Sequence, residues 1–191
     1  MKIIGFFQPI GYEITSQLLQ DGLEVEVYDF QDLLELSELE EEMILSIGRN
    51  ANFTYQTINN LSRNNNETEG IKTIVCFNNE IKNVEKYKRY LENIPPESTL
   101  LLFSEELKTM VEKNFKYFKQ FIIPPTIAKW MKSKEIQMVN PPVLASKVSR
   151  HIINSFILSE NKSSDGNEIH SVLQEEVEEV IRFNNNYHFL K

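Results

Sequence analysis

Short apolar blocks alternate with stretches of helical spacing from the first residue onward. Residues 2 to 7 form a compact apolar run, and residues 9 to 21 carry Ile10, Ile14, Leu18 and Leu19 at helical spacing, closed by Asp21-Gly22 as a helix stop. Glu24-Val25-Glu26-Val27-Tyr28, rich in β-branched and aromatic residues, ends at Asp29, so the chain opens as strand, helix, strand. The alternation resumes with strands at 71 to 77 and 98 to 103, separated by a helix over 81 to 93 that stops before Pro95-Pro96. Residues 105 to 118 read as a helix and 120 to 123 as a strand stopped by Pro124-Pro125. A short helix at 127 to 132 and a last strand at 136 to 139 follow, before Pro141-Pro142.

Between residue 30 and residue 70 the rhythm breaks. Residues 31 to 47 are rich in Leu and Glu, residues 52 to 63 read as a second helix, and no strand is expected in this interval. The polar run from Asn64 to Gly70 has no apolar anchor and reads as a surface loop. From residue 143 the pattern is helical, with helices at 143 to 158 and 169 to 183. The second places Ile169, Val172, Leu173, Val177, Val180 and Ile181 on one stripe and four glutamates largely opposite. Strands alternating with helices imply crossover connections and helices on both faces. The expected fold is therefore α/β: a doubly wound, mostly parallel, three-layer sheet over residues 1–142, with a helical extension over 143–191 packed on the same domain.

A chain of 191 residues suits one domain at roughly 150 residues each. Its 41% hydrophobic and 25% charged residues are enough to build a core and exclude a disordered class. The formal charge of −8 argues against nucleic acid and anionic membrane surfaces as partners. No apolar run approaches the length of about eighteen residues that a membrane helix needs, and the opening run lacks a small-residue cleavage site, so neither a membrane span nor a leader is expected. The single cysteine, Cys76, excludes an intrachain disulfide and agrees with a reducing, cytoplasmic setting; within Ile74-Val75-Cys76-Phe77 it reads as a buried strand residue. His151, His170 and His188 share no ligand spacing, so no metal site is expected, and no phosphate loop of the G-x-x-x-x-G-K type occurs.

The first turn carries the candidate chemistry. A strand that enters a helix through a glycine-bearing turn, with a carboxylate ending the next strand, is the layout that holds dinucleotides. Glycines permit the tight turn and close backbone approach to a pyrophosphate, the helix start favours its charge, and the carboxylate takes the ribose hydroxyls. Gly5, Gln8, Pro9, Ile10, Gly11 and Asp29 occupy these places. Ligands of open α/β sheets sit outside the carboxyl ends of the strands, so Asn78 and Asn79 join them as candidate binding residues. Ser104-Glu105, Pro124-Pro125-Thr126 and Asn140 share that rim. Turn and helix-cap duty is the competing reading of these polar residues.

Gly5-Phe6-Phe7-Gln8-Pro9-Ile10-Gly11, continuing through Leu18-Leu19-Gln20-Asp21-Gly22-Leu23-Glu24-Val25 to Asp29, resembles the opening of the extended short-chain dehydrogenases and epimerases, whose turn is G-x-x-G-x-x-G. Gly5 matches the first glycine, Gly11 the third, and Asp29 the ribose-binding acid, while Gln8 stands in the middle glycine's place. The chain has a looser likeness to the β-hydroxyacid dehydrogenases. Both imply a Rossmann-like fold of the NAD(P)-binding superfamily, with NAD or NADP as the cofactor. The resemblance also implies a Tyr-x-x-x-Lys catalytic pair, which appears here only as Tyr187 to Lys191 at the end of the sequence, so no catalytic residue is assigned.

The expectation is an oxidoreductase-like protein that binds a nucleotide or related small molecule in a binding or regulatory role. Two alternatives stand beside it. One is an interaction subunit that binds no nucleotide and forms a homodimer through its C-terminal helices. The other is a divergent small NAD(P)-dependent reductase using another acid, such as Tyr12 or Glu105.

Overall fold

The computed structural model describes residues 1–30, 35–61, 70–77, 87–92, 94–123, 126–127 and 143–157. Six strands form one sheet: β1 (Lys2–Ile4), β2 (Val25–Asp29), β3 (Phe53–Thr57), β4 (Thr73–Cys76), β5 (Thr99–Phe103) and β6 (Lys119–Ile122). Their order is β3-β2-β1-β4-β5-β6, and every pairing is parallel. The chain starts in the middle, winds outward to β3, and then returns to add β4 on the other side of β1. The winding direction therefore reverses between β1 and β4, which is where doubly wound sheets open a crevice at their carboxyl ends. This is the Rossmann-like architecture expected from the alternation of elements.

Burial explains why the central strands read so clearly. All of β4 and all of β5 are buried, because helices cover both faces and neither face can be polar. Ile3, Val27, Ile74, Cys76, Leu100 and Leu102 form one core cluster with Ile10, Ile14 and Leu18 of α1 (Pro9–Gln20) and Met43 of α2 (Glu38–Ile47). Ile4, Tyr28, Val75, Leu101 and Phe103 form another, with Tyr87 and Leu91 of the helical residues 87–91 and Val111 of α3 (Lys108–Asn114). Each such fully buried large side chain contributes about 1.5–3 kcal/mol.

Helix α4 (Ala145–Ile152) lies on α1, where the Gln17 amide donates to the Ser146 carbonyl and to Ser149 Oγ, both at 2.7 Å. A π-helical turn, Ile153–Ile157, follows it. A separate two-stranded pair joins β7 (Thr126–Ile127) to β8 (Val143–Leu144).

Several expected elements differ. The helix expected over 52 to 63 is instead β3, followed by a short 3-10 turn at Ile58–Asn60. Phe53-Thr54-Tyr55-Gln56-Thr57 alternates aromatic and polar residues with period two, and as the sheet's edge strand it stays half-buried, which removes the apolar run that marks its neighbours. In the Leu- and Glu-rich stretch, of which residues 31–34 lie outside the described ones, helix α2 begins at Glu38, where Ser37 forms a capping box with Glu40. Ile127 lies in β7 rather than opening a helix, and the helix expected from Val143 begins at Ala145 after β8. The expected strand at 136 to 139 and the expected helix at 169 to 183 lie outside the described residues, as does most of the loop before Gly70. Among the described residues no helix is long and apolar enough to cross a membrane.

Candidate functional site

The turn after β1 stands at the point where the winding reverses. Gly5 leaves the strand at φ +82°, in the left-handed region that glycine alone enters without strain, and its N–H donates to the Tyr28 carbonyl at 3.0 Å. A Cβ on Gly5 would overlap the carbonyl oxygen of Cys76 at the end of β4. Gly11, one turn into α1, lies so close that a Cβ there would overlap the Gly5 carbonyl oxygen. The first and third glycine positions are therefore fixed by backbone against backbone: one allows the reversal, and the other brings the helix start down onto the strand.

Gln8 is the N-cap residue of α1, in extended conformation, and its side chain does not cap the helix. Half-buried, its amide has no hydrogen-bond partner among the described residues. Pro9 occupies the first helical position, where its missing N–H costs nothing. The first bond into the helix runs from Tyr12 N–H to the Gln8 carbonyl at 3.0 Å, which leaves the N–H groups of Ile10 and Gly11 without an acceptor among the described residues. Both residues are buried. Open N–H groups at a helix N-terminus favour an anion.

Asp29 ends β2 beside this turn. Its Oδ2 accepts from Phe7 N–H at 3.3 Å and its Oδ1 from Phe30 N–H at 2.7 Å. Burial holds its pKa above the ordinary carboxylate value, against the pull of the backbone N–H groups of Phe30, Phe7 and Phe6. Burial also raises Tyr87 and Cys76, with the Asp29 charge adding to both. Tyr87 donates to the Cys76 carbonyl at 3.3 Å, directly behind Gly5. Aromatic rings gather on this side: Phe30 meets Tyr87 at 4.9 Å and Tyr90 at 5.7 Å between centroids, and Phe77 meets Tyr87 at 4.6 Å.

Of the residues singled out from sequence, Gly5, Gln8, Pro9, Ile10, Gly11 and Asp29 come together at this corner. Asn78 and Asn79 lie outside the described residues, as do Pro124, Pro125 and Asn140. Phe6 is fully buried among Phe7, Tyr12 and Phe53 and belongs to the core, whereas Phe7 is half-buried against Tyr55. Cys76 is a buried strand residue, as its surroundings suggested. Tyr12 shares a 2.7 Å hydrogen bond with Ser46, and Glu105 is paired with Lys108 at 3.3 Å. Among the described residues no three His, Cys, Asp or Glu side chains converge on a metal-sized site.

The residue undervalued by sequence reasoning is Ser104. It follows the last residue of β5, and its Oγ is buried with no hydrogen-bond partner among the described residues. The only sequence signal was its place just beyond a buried strand.

No protein-family model matches the chain, and no curated protein matches it by sequence. Among solved structures, it is similar to yeast methylglyoxal/isovaleraldehyde reductase Gre2 complexed with NADPH, at a TM-score of 0.50 and 13% identity, covering 83% of this chain and 72% of that one. The likeness is one of fold: the same Rossmann-like arrangement underlies both proteins.

Proposed function

We propose that this chain binds a nicotinamide dinucleotide, NAD(H) or NADP(H), at the turn between β1 and α1, in a binding or regulatory role. The observation that carries the reading is the pair of backbone approaches at Gly5 and Gly11, which lays the start of α1 against the reversal point with two N–H groups unclaimed. Those N–H groups would take the pyrophosphate, the Gln8 amide would add a donor in place of the absent middle glycine, and Asp29 would accept the ribose hydroxyls. Bound there, the nicotinamide would supply or take up a hydride. The NADPH of the structurally similar reductase supports the choice of ligand class.

A second reading, an active reductase, is favoured by Ser104. A buried hydroxyl without a partner is rare in native proteins, and at the end of β5 it could donate to a substrate oxygen.

Isothermal titration of NAD⁺, NADH, NADP⁺ and NADPH tests the first reading. Gln8→Glu is the control of choice, because the Gln8 side chain makes no bond that the fold needs and a carboxylate at the helix start suits the helix but repels phosphate. Micromolar binding weakened by about tenfold or more in Gln8→Glu, with unchanged thermal stability, is the expected result. No heat from any of the four with folded protein overturns the reading. Oxidation of NAD(P)H across a carbonyl panel, lost in Ser104→Ala, would support the second.

A further inference from the structure

Helix α2 turns a charged face with an apolar centre outward. Glu38, Glu41, Glu42 and Leu45 stand at i, i+3, i+4 and i+7, so they form one stripe, and all four are exposed on the side opposite buried Met43. The helix holds four glutamates and no cation, and Leu45 among them is 73% exposed. The turn between α3 and β6 carries the reverse sign. Lys113, Lys116 and Lys119 are exposed there beside a single carboxylate, Glu112, and Tyr117 is 76% exposed with Lys116 Nζ 4.7 Å from its ring centroid. None of Glu38, Glu41, Glu42, Lys113, Lys116 and Lys119 is in an ion pair among the described residues. One exposed apolar side chain is ordinary on a protein surface. Here the two most exposed large apolar side chains of the described residues each lie in a patch of one sign, and the signs are opposite.

The two patches belong to opposite ends of the sheet. Helix α2 leads into β3 and α3 into β6, the two edge strands, and α2 packs through Met43 on one face of the sheet while α3 packs through Val111 on the other. A two-fold contact centred on either patch would set like charge on like, whereas a head-to-tail contact sets glutamates on lysines with Leu45 and Tyr117 between them. We propose that copies of this chain associate head to tail, α2 of one copy docking on the α3–β6 turn of the next. Each copy carries a formal charge of −8 and repels the others at a distance, but at physiological salt charges are screened beyond about 8 Å, so the groups at the contact decide. A contact of this kind repeats from copy to copy and closes into a ring or extends as a filament, according to the rotation it imposes. It uses no residue of the turn between β1 and α1 and is independent of the dinucleotide reading.

Sedimentation velocity on the full chain tests the proposal, over about 10 to 300 µM, the range in which a small contact shows. The sedimentation coefficient is expected to rise with concentration. Two charge-reversed chains, Glu41→Lys with Glu42→Lys and Lys113→Glu with Lys116→Glu, should each stay monomeric. The first halves the net charge of −8, so its failure to associate would come from the contact and not from overall repulsion. A one-to-one mixture of the two should associate again, because every contact in an alternating chain of the two is then opposite in sign. A wild type that is monomeric throughout overturns the proposal. Association untouched by either reversal also overturns it, since a dimer through the C-terminal helices would be indifferent to these charges. So does a mixture that stays monomeric while circular dichroism shows both variants folded. If a reversed chain does not fold, Leu45→Ser and Tyr117→Ser carry the test: each should weaken association by about tenfold, and unchanged association in both overturns the proposal.

Discussion

The backbone N–H of Phe7 donates to Oδ2 of Asp29 at 3.3 Å, so the carboxylate that ends β2 also braces the turn that ends β1. Its other oxygen takes the Phe30 N–H. Asp29 thus joins the two halves of the candidate site before any ligand arrives, and the strands on either side keep the two groups in register, with Ile4 opposite Tyr28.

That position comes at a cost that can be measured. Burial raises the pKa of Asp29 despite its backbone donors, so the folded chain holds the proton more tightly than the unfolded chain does. For a carboxyl group raised in this way, the stabilising contribution is full below the unfolded pKa and is lost as pH rises through the folded value. Asp29→Asn is therefore expected to leave thermal stability at pH 7 unchanged or slightly higher. The wild type should gain on the variant as pH falls from neutral into the carboxylate range. Dinucleotide affinity should drop about tenfold in the same variant, since a hydrogen bond to a charged group is worth about 1.5–3 kcal/mol. A variant that melts well below the wild type at pH 7 would show that the bracing bonds outweigh the burial of charge.

Gly5→Ala and Gly11→Ala should rank in that order of damage. Both place a Cβ onto a backbone carbonyl that cannot swing away, Cys76 for the first and Gly5 for the second. Gly5 adds the left-handed conformation, at roughly 1–2 kcal/mol more. Overpacking of this kind costs about 1–3 kcal/mol, or about 2–4 °C of melting temperature per kcal/mol in a chain of this size. Thermal unfolding followed by circular dichroism measures the ranking.

Ser104→Ala is expected to be neutral or stabilising in the absence of ligand. The hydroxyl is buried and has no partner among the described residues, so its removal gives up no hydrogen bond to them and relieves a desolvated polar group worth about 1–3 kcal/mol. A drop in melting temperature would show that the hydroxyl has a partner, such as a bound water.

Much of this was legible because the centre of a doubly wound sheet is written in continuous apolar runs. Thr73 to Cys76 and Thr99 to Phe103 have to be buried on both faces, and the turn residues Gly5 and Gly11 announce themselves by identity. The edge was not legible. Phe53 to Thr57 is half-exposed, and its period-two alternation over five residues is easily lost beside the Leu- and Glu-rich helix before it. In the site, Asp29 could be placed by its distance from Gly11, but its bonds to Phe7 and Phe30 use backbone groups, which carry no residue identity. Ser104 was visible only as a rim residue, because lacking a partner is a property of surroundings that the sequence does not record.

Gln17 offers the test of how α4 is held. Its single amide nitrogen donates at 2.7 Å both to the Ser146 carbonyl and to Ser149 Oγ, and Ser149, itself fully buried, donates back to the Ser146 carbonyl at 2.9 Å. Replacing Gln17 with Leu keeps the bulk and removes both bonds, while Ser149 still donates to the Ser146 carbonyl, so the cost is expected at about 0.5–1.5 kcal/mol per bond. The apolar contacts of Val148 and Ile152 with the core remain, so the loss should loosen α4 rather than unfold the sheet. Hydrogen exchange is then expected to rise over residues 145 to 157 while β4 and β5 stay protected. Uniformly faster exchange across the chain would mean that α4 and the sheet unfold as one unit.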